Sequence, residues 1–334
     1  MQDFLATFSG HVVSVLMNPF DPNQRIFLLY VLTSLLAAFL IWRAHRHANR
    51  SEGKSSFLGF LFPKSVWDHP SAWLDVRYFF FHKFLGHFFL LGLLGASGAG
   101  MFRLVTGEAI TGLTATQQGP LSWGIVVIYM VVSAIVVDFM GYAVHYLQHK
   151  VPILWEFHKV HHSAEVMHPL SNYREHPVDN LLYMLLIGGG YGAVTGVAYL
   201  MLDVVPALPS VLGVPILMFL FNIAAYNLRH SHVWLRWPGA WSKIFPSPAH
   251  HHVHHSCHPD HFDKNFAFMF PLWDVVFGTY IMPEDNRDVK FGVAGMKSME
   301  MDSCWKLYWV PFKKAAKRLR KGRRSKTGQS TPAE

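Results

Sequence analysis

The apolar residues of this chain fall in long runs separated by polar, histidine-rich stretches. The first run, Ile26 to Trp42, is apolar throughout and matches the roughly 17–25 residues that cross a hydrocarbon core. It has no positive segment before it and no small-residue cleavage site after it, so it reads as a retained anchor rather than a signal peptide. The second run, Tyr78 to Phe102, is interrupted by His82, Lys83 and His87, which places its first turns at the interface. The third extends from Leu121 to about Val137 and continues as helix from Asp138 to His149. Two more, near Leu181–Leu202 and Val205–Ala225, are separated by Asp203 and Pro206 and form a full or a re-entrant hairpin. Gly188, Gly189 and Gly190 allow close packing or a break there.

The pattern predicts an all-α integral membrane protein, a helical bundle of about four to five transmembrane segments carrying a cytosolic, histidine-bearing cap. Loop charge sets the orientation. The stretch from Arg43 to Arg77, including Arg46, Arg50, Lys54 and Lys64, is basic, and everything after Tyr226 is basic. The loop from Arg103 to Gly119 has one Arg and one Glu, and the turn near Asp203 has no Lys or Arg. The positive-inside rule then puts the N-terminus outside, the histidine-rich regions and tail in the cytoplasm, and the number of crossings at five. Three regions follow: residues 1–120 as a membrane anchor region with two apolar segments, 121–285 as the histidine-bearing domain, and 286–334 as a basic cytoplasmic tail.

Composition agrees. Only 15% of the 334 residues are charged, against about 25% in soluble domains, and mean hydropathy is +0.21. Two cysteines, Cys257 and Cys304, make no disulfide framework and suit a reducing compartment. The net charge of +8 comes largely from the segment after Lys313, which reads as a basic, frayed helix ending in a disordered stretch. Beside membrane segments such a tail favours anionic lipid over nucleic acid.

Histidine changes the picture most. Of 22 histidines, sixteen lie between His145 and His261. His145 and His149 stand at i, i+4, and His158, His161 and His162 at i, i+3, i+4. His230 and His232 follow the fifth apolar run, and His251, His254 and His255 repeat the i, i+3, i+4 spacing, with His250 and His252 beside them. Residues three and four apart share a helix face, so the imidazoles of each group can point at one ion. One HxxxH pair is unremarkable and histidine tracts can be metal buffers, but buffers are irregular whereas these recur at helical spacing. A catalytic zinc needs about three protein ligands. Eight histidines in the three main groups, with His230 as a ninth, argue for two ions. HExxH is absent, and with it the zinc-protease signature. Imidazole suits Fe, Zn and Cu alike. Oxidation of an unactivated C–H bond in a lipid requires activated O2 and hence a redox metal.

The ordered blocks Asp138…His145-Tyr-Leu-Gln-His149, Trp155-Glu-Phe-His158-Lys-Val-His161-His162-Ser163, Asn172-Tyr-Arg-Glu-His176-Pro177, Pro248-Ala-His250-His251-His252-Val253-His254-His255, Asp263-Lys-Asn265-Phe266 and Trp273-Asp274-Val-Val-Phe277-Gly278-Thr279-Tyr280 resemble the fatty acid hydroxylase/sterol desaturase superfamily over about Val136 to Tyr280. The resemblance implies a catalytic domain at 121–285 holding two non-haem irons on the cytosolic side of the membrane. It implies O2 as co-substrate, an external electron donor and a membrane lipid as substrate. Carried over, the ligands are His145, His149, His158, His161, His162, His230, His251, His254 and His255. Where the family often has Asn this chain has His232, either a tenth ligand or a supporting donor. His250 reads as supporting the ligands. Asp138, two turns before His145, is a candidate to accept an imidazole N–H, as are Asn227 and Asp263. His168, His176, His258 and His261 read as surface or capping residues, and Trp155, Trp273 and Phe277 as core or interfacial aromatics.

No haem-binding His-Pro-Gly-Gly, no GxGxxG after a strand and no CxxC cluster occurs, so electrons must come from a separate reductase or a ferredoxin- or cytochrome-type partner. The leading expectation is an O2-dependent hydroxylase of a fatty-acyl or polar lipid such as an ornithine lipid, in the cell inner membrane or its equivalent. A desaturase or sterol-methyl oxidase would use the same centre. A histidine-rich metal transporter is the reading from another class, but transporters place ligands at mid-membrane on repeated helices, and here the groups lie beyond the helix ends.

Overall fold

The computed structural model describes residues 2–48, 56–85, 93–110, 121–284 and 289–326. His87, Arg50, Lys54, most of the loop that follows Thr106 and the last eight residues lie outside the described residues. The protein is mostly helical. Its main helices are α1 (Gln2–Leu16), α2 (Leu28–Ala48), α3 (Pro70–Leu85), α4 (Leu93–Thr106), α5 (Trp123–Lys150), α6 (Pro152–His162), α7 (Pro177–Leu202), α8 (Ile216–Ile223), α9 (Pro248–His254) and α10 (Cys304–Lys326). A two-residue antiparallel pair, β1 (Ser210–Val211) and β2 (Val214–Pro215), precedes α8.

Among the described residues three helices are long and apolar enough to cross a membrane: Leu28–Arg46 of α2, α5 and α7. Leu28, Leu32, Leu36 and Leu40 form an exposed stripe on α2, and Val127, Ile128, Val131, Val132 and Ile135 are exposed on α5. Such surfaces are stable against lipid rather than water. The fifth apolar run does not become one spanning helix. Pro206, Pro209 and the β1–β2 turn occupy its first half, and the eight residues of α8 reach only about 12 Å, well short of a hydrocarbon core of about 30 Å. In the second run the described residues form α3 as far as Leu85 and α4 from Leu93.

Close backbone approach joins α4 to α7. A Cβ on Gly192 would lie 2.1 Å from the Gly98 carbonyl oxygen, and one on Gly188 would lie 2.4 Å from that of Leu94. Glycine at four-residue spacing is what lets two membrane helices touch this way.

The 28 residues of α5 make about 42 Å of helix, longer than a hydrocarbon core of about 30 Å, and His145 and His149 stand in its last turns. Val151 is extended (φ −91°, ψ 112°) because a residue before proline avoids the helical region. This folds α6 back onto the end of α5. Proline opens α6, α7 and α9 alike, at Pro152, Pro177 and Pro248, where its missing N–H costs nothing.

The C-terminal segment corrects one expectation. From Cys304 to Arg318 it is a helix docked on the protein, not a frayed extension. Leu307 packs with Leu74, Tyr78, Val160 and Met301, and Arg318 pairs with the buried Glu156 of α6. Tyr308 Oη contacts His82 Nδ1 at 2.8 Å.

Candidate metal centre

All nine histidines carried over from the sequence come together in two groups. His145, His149, His158, His162 and His254 form one; His161, His230, His251 and His255 form the other, and within each the nearest ring nitrogens lie within 4.8 Å of one another. The groups adjoin, with the His162 and His255 rings stacked at 4.3 Å between centroids. Helix α5 supplies two imidazoles, α6 three, and the 3-10 turn Tyr226–His230 one. The rest come from α9 and its C-cap His255.

What lies behind the rings fixes their tautomers. A carbonyl oxygen can only accept, so a ring nitrogen facing one carries the proton. His145 Nδ1 donates to Phe266 O (2.8 Å), His254 Nδ1 to Lys264 O (2.8 Å) and His161 Nδ1 to Arg174 O (3.3 Å). Ser171 Oγ donates to His168 O and thereby accepts from His230 Nδ1 (3.0 Å). In each ring the Nε2 lone pair is left pointing into the group. His145 Nε2 and His254 Nε2 are buried and bond to nothing else in the protein. Carboxylates stand behind two further rings: Asp179 Oδ2 lies 3.4 Å from His158 Nδ1, and Asp263 Oδ1 lies 3.4 Å from His149 Nδ1. His251 is the exception, its Nδ1 accepting from Arg229 Nη2 (3.2 Å).

Burial pushes the imidazoles outside the membrane helices well below their ordinary pKa, His161 to about 4. They are therefore neutral at neutral pH, the form that ligates metal. His149 and Lys150 hold the Asp263 carboxyl down to about 2. Nine neutral donors, orphaned Nε2 atoms and two carboxylates behind the rings form a donor set that fits two metal cations.

The residues expected to support the ligands are placed differently. Asp138 does not reach an imidazole. Its carboxylate accepts from Met269 N (2.8 Å), Phe270 N (3.1 Å) and Trp273 Nε1 (3.0 Å), and so anchors the loop that follows Phe266. His232 lies outside both groups and donates to Phe60 O (2.7 Å). His250 caps α9, its Nδ1 facing Ser247 N at 3.1 Å. Asn227 is buried and its side-chain atoms meet no hydrogen-bond partner. His168 is the N-cap of the 3-10 turn Pro169–Tyr173, buried against Asp75 (3.0 Å) rather than at the surface, and His261 is buried too. His176 is a cap, accepting from Val178 N.

Sequence reasoning missed four residues. Asp179 was hidden as an ordinary first-turn acid of α7. Asp75 and Arg174 form a buried ion pair that, with Ser71 and Ser163, fixes the loop presenting Ser171 and the Arg174 carbonyl to the rings. Asp75 lies 99 residues from Arg174, so no local spacing reveals it. Arg229, next to His230, was visible only as one more basic residue.

Comparison with known proteins follows this geometry. Residues 130–279 match the fatty acid hydroxylase family model. The chain is 27% identical to alkylglycerol monooxygenase of Danio rerio, over 52% of this chain and 36% of that protein. It is 27% identical to the Homo sapiens alkylglycerol monooxygenase, over 52% and 37%, and 28% identical to an ornithine lipid hydroxylase of Rhizobium tropici, over 50% and 46%. The match spans less than half the length of each of these relatives. No solved structure matches. Residues 130–279, which carry all nine clustered histidines, thus match the fatty acid hydroxylase family.

Proposed function

We propose that this chain is a membrane-bound, O2-dependent lipid hydroxylase that holds two iron ions, one in each histidine group. The observation that carries the reading is the convergence of nine neutral imidazoles, six of which have their outward nitrogen facing a carbonyl, a serine hydroxyl or a carboxylate. Iron bound there supplies reductive activation of O2. The reaction balances as R–H, O2, two electrons and two protons giving R–OH and water. No haem, flavin or iron–sulfur motif is present to deliver the electrons, so they come from a separate reductase, ferredoxin or cytochrome.

The chain's own residues hold the centre rigid and dry. Phe266 stands against the rings of His145, His149 and His254, and Trp155 against those of His149 and His162. The rings lie where the last turns of α5 leave the membrane, so a lipid can reach them without leaving the bilayer. Loop charge puts that side in the cytoplasm. The relatives named for alkylglycerols and for ornithine lipids support a polar or fatty-acyl lipid as the substrate class.

The test compares lipid extracts of cells with and without the chain, under labelled O2, by mass spectrometry. A product heavier by one oxygen derived from O2 is expected. Purified protein should carry two irons, and His161→Ala should lose activity while still inserting in the membrane. A product lighter by two hydrogens would replace hydroxylation by desaturation. Oxygen drawn from water alone, or an active His161→Ala chain, would overturn the reading.

A further inference from the structure

A cavity of about 560 Å³ lies beside the second histidine group, within the range of about 300–1,000 Å³ typical of ligand sites. Leu217, Leu220, Phe221, Trp241 and Phe245 line it with Met269. Its outer part is open, since Leu220, Trp241 and Phe245 are about half exposed, whereas Tyr226, Met269 and Arg229 at the inner end are buried. Every lining side chain is uncharged except Arg229.

Arg229 is 8% exposed, and among the described residues no carboxylate lies within ion-pair distance of it. Its Nη1 donates to Phe268 O (3.0 Å) and its Nη2 to His251 Nδ1 (3.2 Å), which leaves three of its five N–H donors without an acceptor among the described residues. The rings of Phe268, Tyr226 and Phe221 stand 5.3, 5.6 and 5.9 Å from the guanidinium carbon. Cation–π contact of this kind offsets only part of the cost of burying a charge. Asp138 is an acid whose field reaches it, and both its oxygens are taken by Met269, Phe270 and Trp273. A buried cation at the closed end of an apolar cavity, with donors to spare, is a binding site for an anion on a hydrocarbon chain.

We infer that this cavity binds a lipid bearing a carboxylate, with Arg229 gripping the carboxylate and the chain running outward past Leu220, Trp241 and Phe245. The inference rests on the oxygenase reading only for its purpose, since it makes the occupant a substrate. A planar guanidinium presents parallel donors that match a carboxylate. One cation balances one carboxylate; a phosphate dianion would need a second, and the lining has none. Only the His251 ring separates Arg229 from the second group, its Nδ1 on the guanidinium and its Nε2 2.8 Å from His230 Nε2. The head of an anchored lipid is thus its nearest part to the centre.

The test uses the full chain, iron-loaded, in lipid nanodiscs under alkaline conditions. Equilibrium binding of labelled dodecanoate, dodecanol and dodecyl phosphate is measured, with iron content read on the same samples. Dodecanoate should bind at least about tenfold tighter than dodecanol, the size expected of a charge-assisted hydrogen bond, and no weaker than dodecyl phosphate. Arg229→Gln should erase that preference and leave dodecanol affinity unchanged. Leu220→Trp, which fills the outer part, should weaken dodecanoate and dodecanol alike and keep their ratio. No preference in the unsubstituted chain, or a preference that survives Arg229→Gln, overturns the site. Tighter binding of dodecyl phosphate overturns the carboxylate assignment. Should Arg229→Gln not be recoverable, the Leu220→Trp chain decides, because affinities it leaves untouched place the ligands elsewhere and refute the cavity. A chain with the preference but without iron refutes the oxygenase reading and leaves the carboxylate site standing; iron without the preference does the reverse.

Discussion

Asp179→Asn separates the charge of the carboxylate behind His158 from its shape. Asp179 is 2% exposed and its Oδ2 lies 3.4 Å from His158 Nδ1. Among the described residues no Lys or Arg lies within ion-pair distance of it. In a metal-free chain this carboxylate is an uncompensated buried acid, a situation that costs about several kcal/mol. Asparagine has the same volume and still offers an oxygen to the ring N–H, with at most about 1–3 kcal/mol lost if part of its amide is unpaired. The metal-free variant should therefore melt no lower than the parent, and higher if the charge term dominates. The iron-loaded variant behaves oppositely. Removing the carboxylate behind a ligating imidazole typically weakens metal affinity by about 10–100-fold, or about 1.4–2.8 kcal/mol. Iron affinity by chelator competition, with melting curves in both states, measures the two effects separately. Asp138→Asn is the contrast, because Asp138 supports a loop and its loss should lower both melting curves. Equal destabilisation of both states by Asp179→Asn, or unchanged iron affinity, would refute the assignment.

Acidification gives a second outcome with a definite sign. Burial holds His176 at about 4, below the ordinary value of about 6.5, so the unfolded chain takes the proton first and stability is lost as pH falls from about 6.5 to about 4. The loss attributable to this residue is at most about 3 kcal/mol. His176→Asn keeps a capping acceptor without titrating, and its melting temperature should fall less over that window; an unchanged slope counts against the account. For topology, a reporter fused after Lys326 should be cytoplasmic and one at Gly112 outside, and both on one side would refute the orientation.

The legible and illegible parts of this protein divide along contact order. The i, i+3 and i+4 spacings within α5, α6 and α9 are local, and the sequence alone brought out the nine imidazoles that the fold gathers. The membrane helices α2, α5 and α7 announce themselves by length. The run from Val205 to Ala225 was legible only as a full or re-entrant hairpin; Pro206, Pro209 and the β1–β2 turn take up half of it and leave a helix of eight residues. Asp138 misled for a related reason. It does share a face with His145, but the loop at Met269–Trp273, 131 residues away along the chain, reaches it first. The partners of the rings are carbonyls, a serine and acids brought in over long loops, and nothing in the spacing of the histidines points to them.

That division has a physical consequence for how the centre is held. His145 Nε2, His254 Nε2, His255 Nδ1 and both ring nitrogens of His158 are buried without hydrogen-bond partners. Each such atom costs about 1–3 kcal/mol when nothing satisfies it. Together these atoms are comparable to the whole stability of about 5–15 kcal/mol typical of a domain. The fold tolerates them because other bonds are spent on preorganisation. Asp75 and Arg174 fix the loop behind His161 and His230, Asp138 fixes the loop behind His145, and Glu156 is pinned by Lys159 and by Arg318 of α10. Metal binding would satisfy one ring nitrogen of each imidazole and crosslink α5, α6, the turn at His230 and α9, segments that meet only in the folded chain. Folding and metal affinity are consequently one coupled equilibrium. A substitution at Asp75 or Glu156, which touch no imidazole in either group, must weaken iron binding through the positions of those that do.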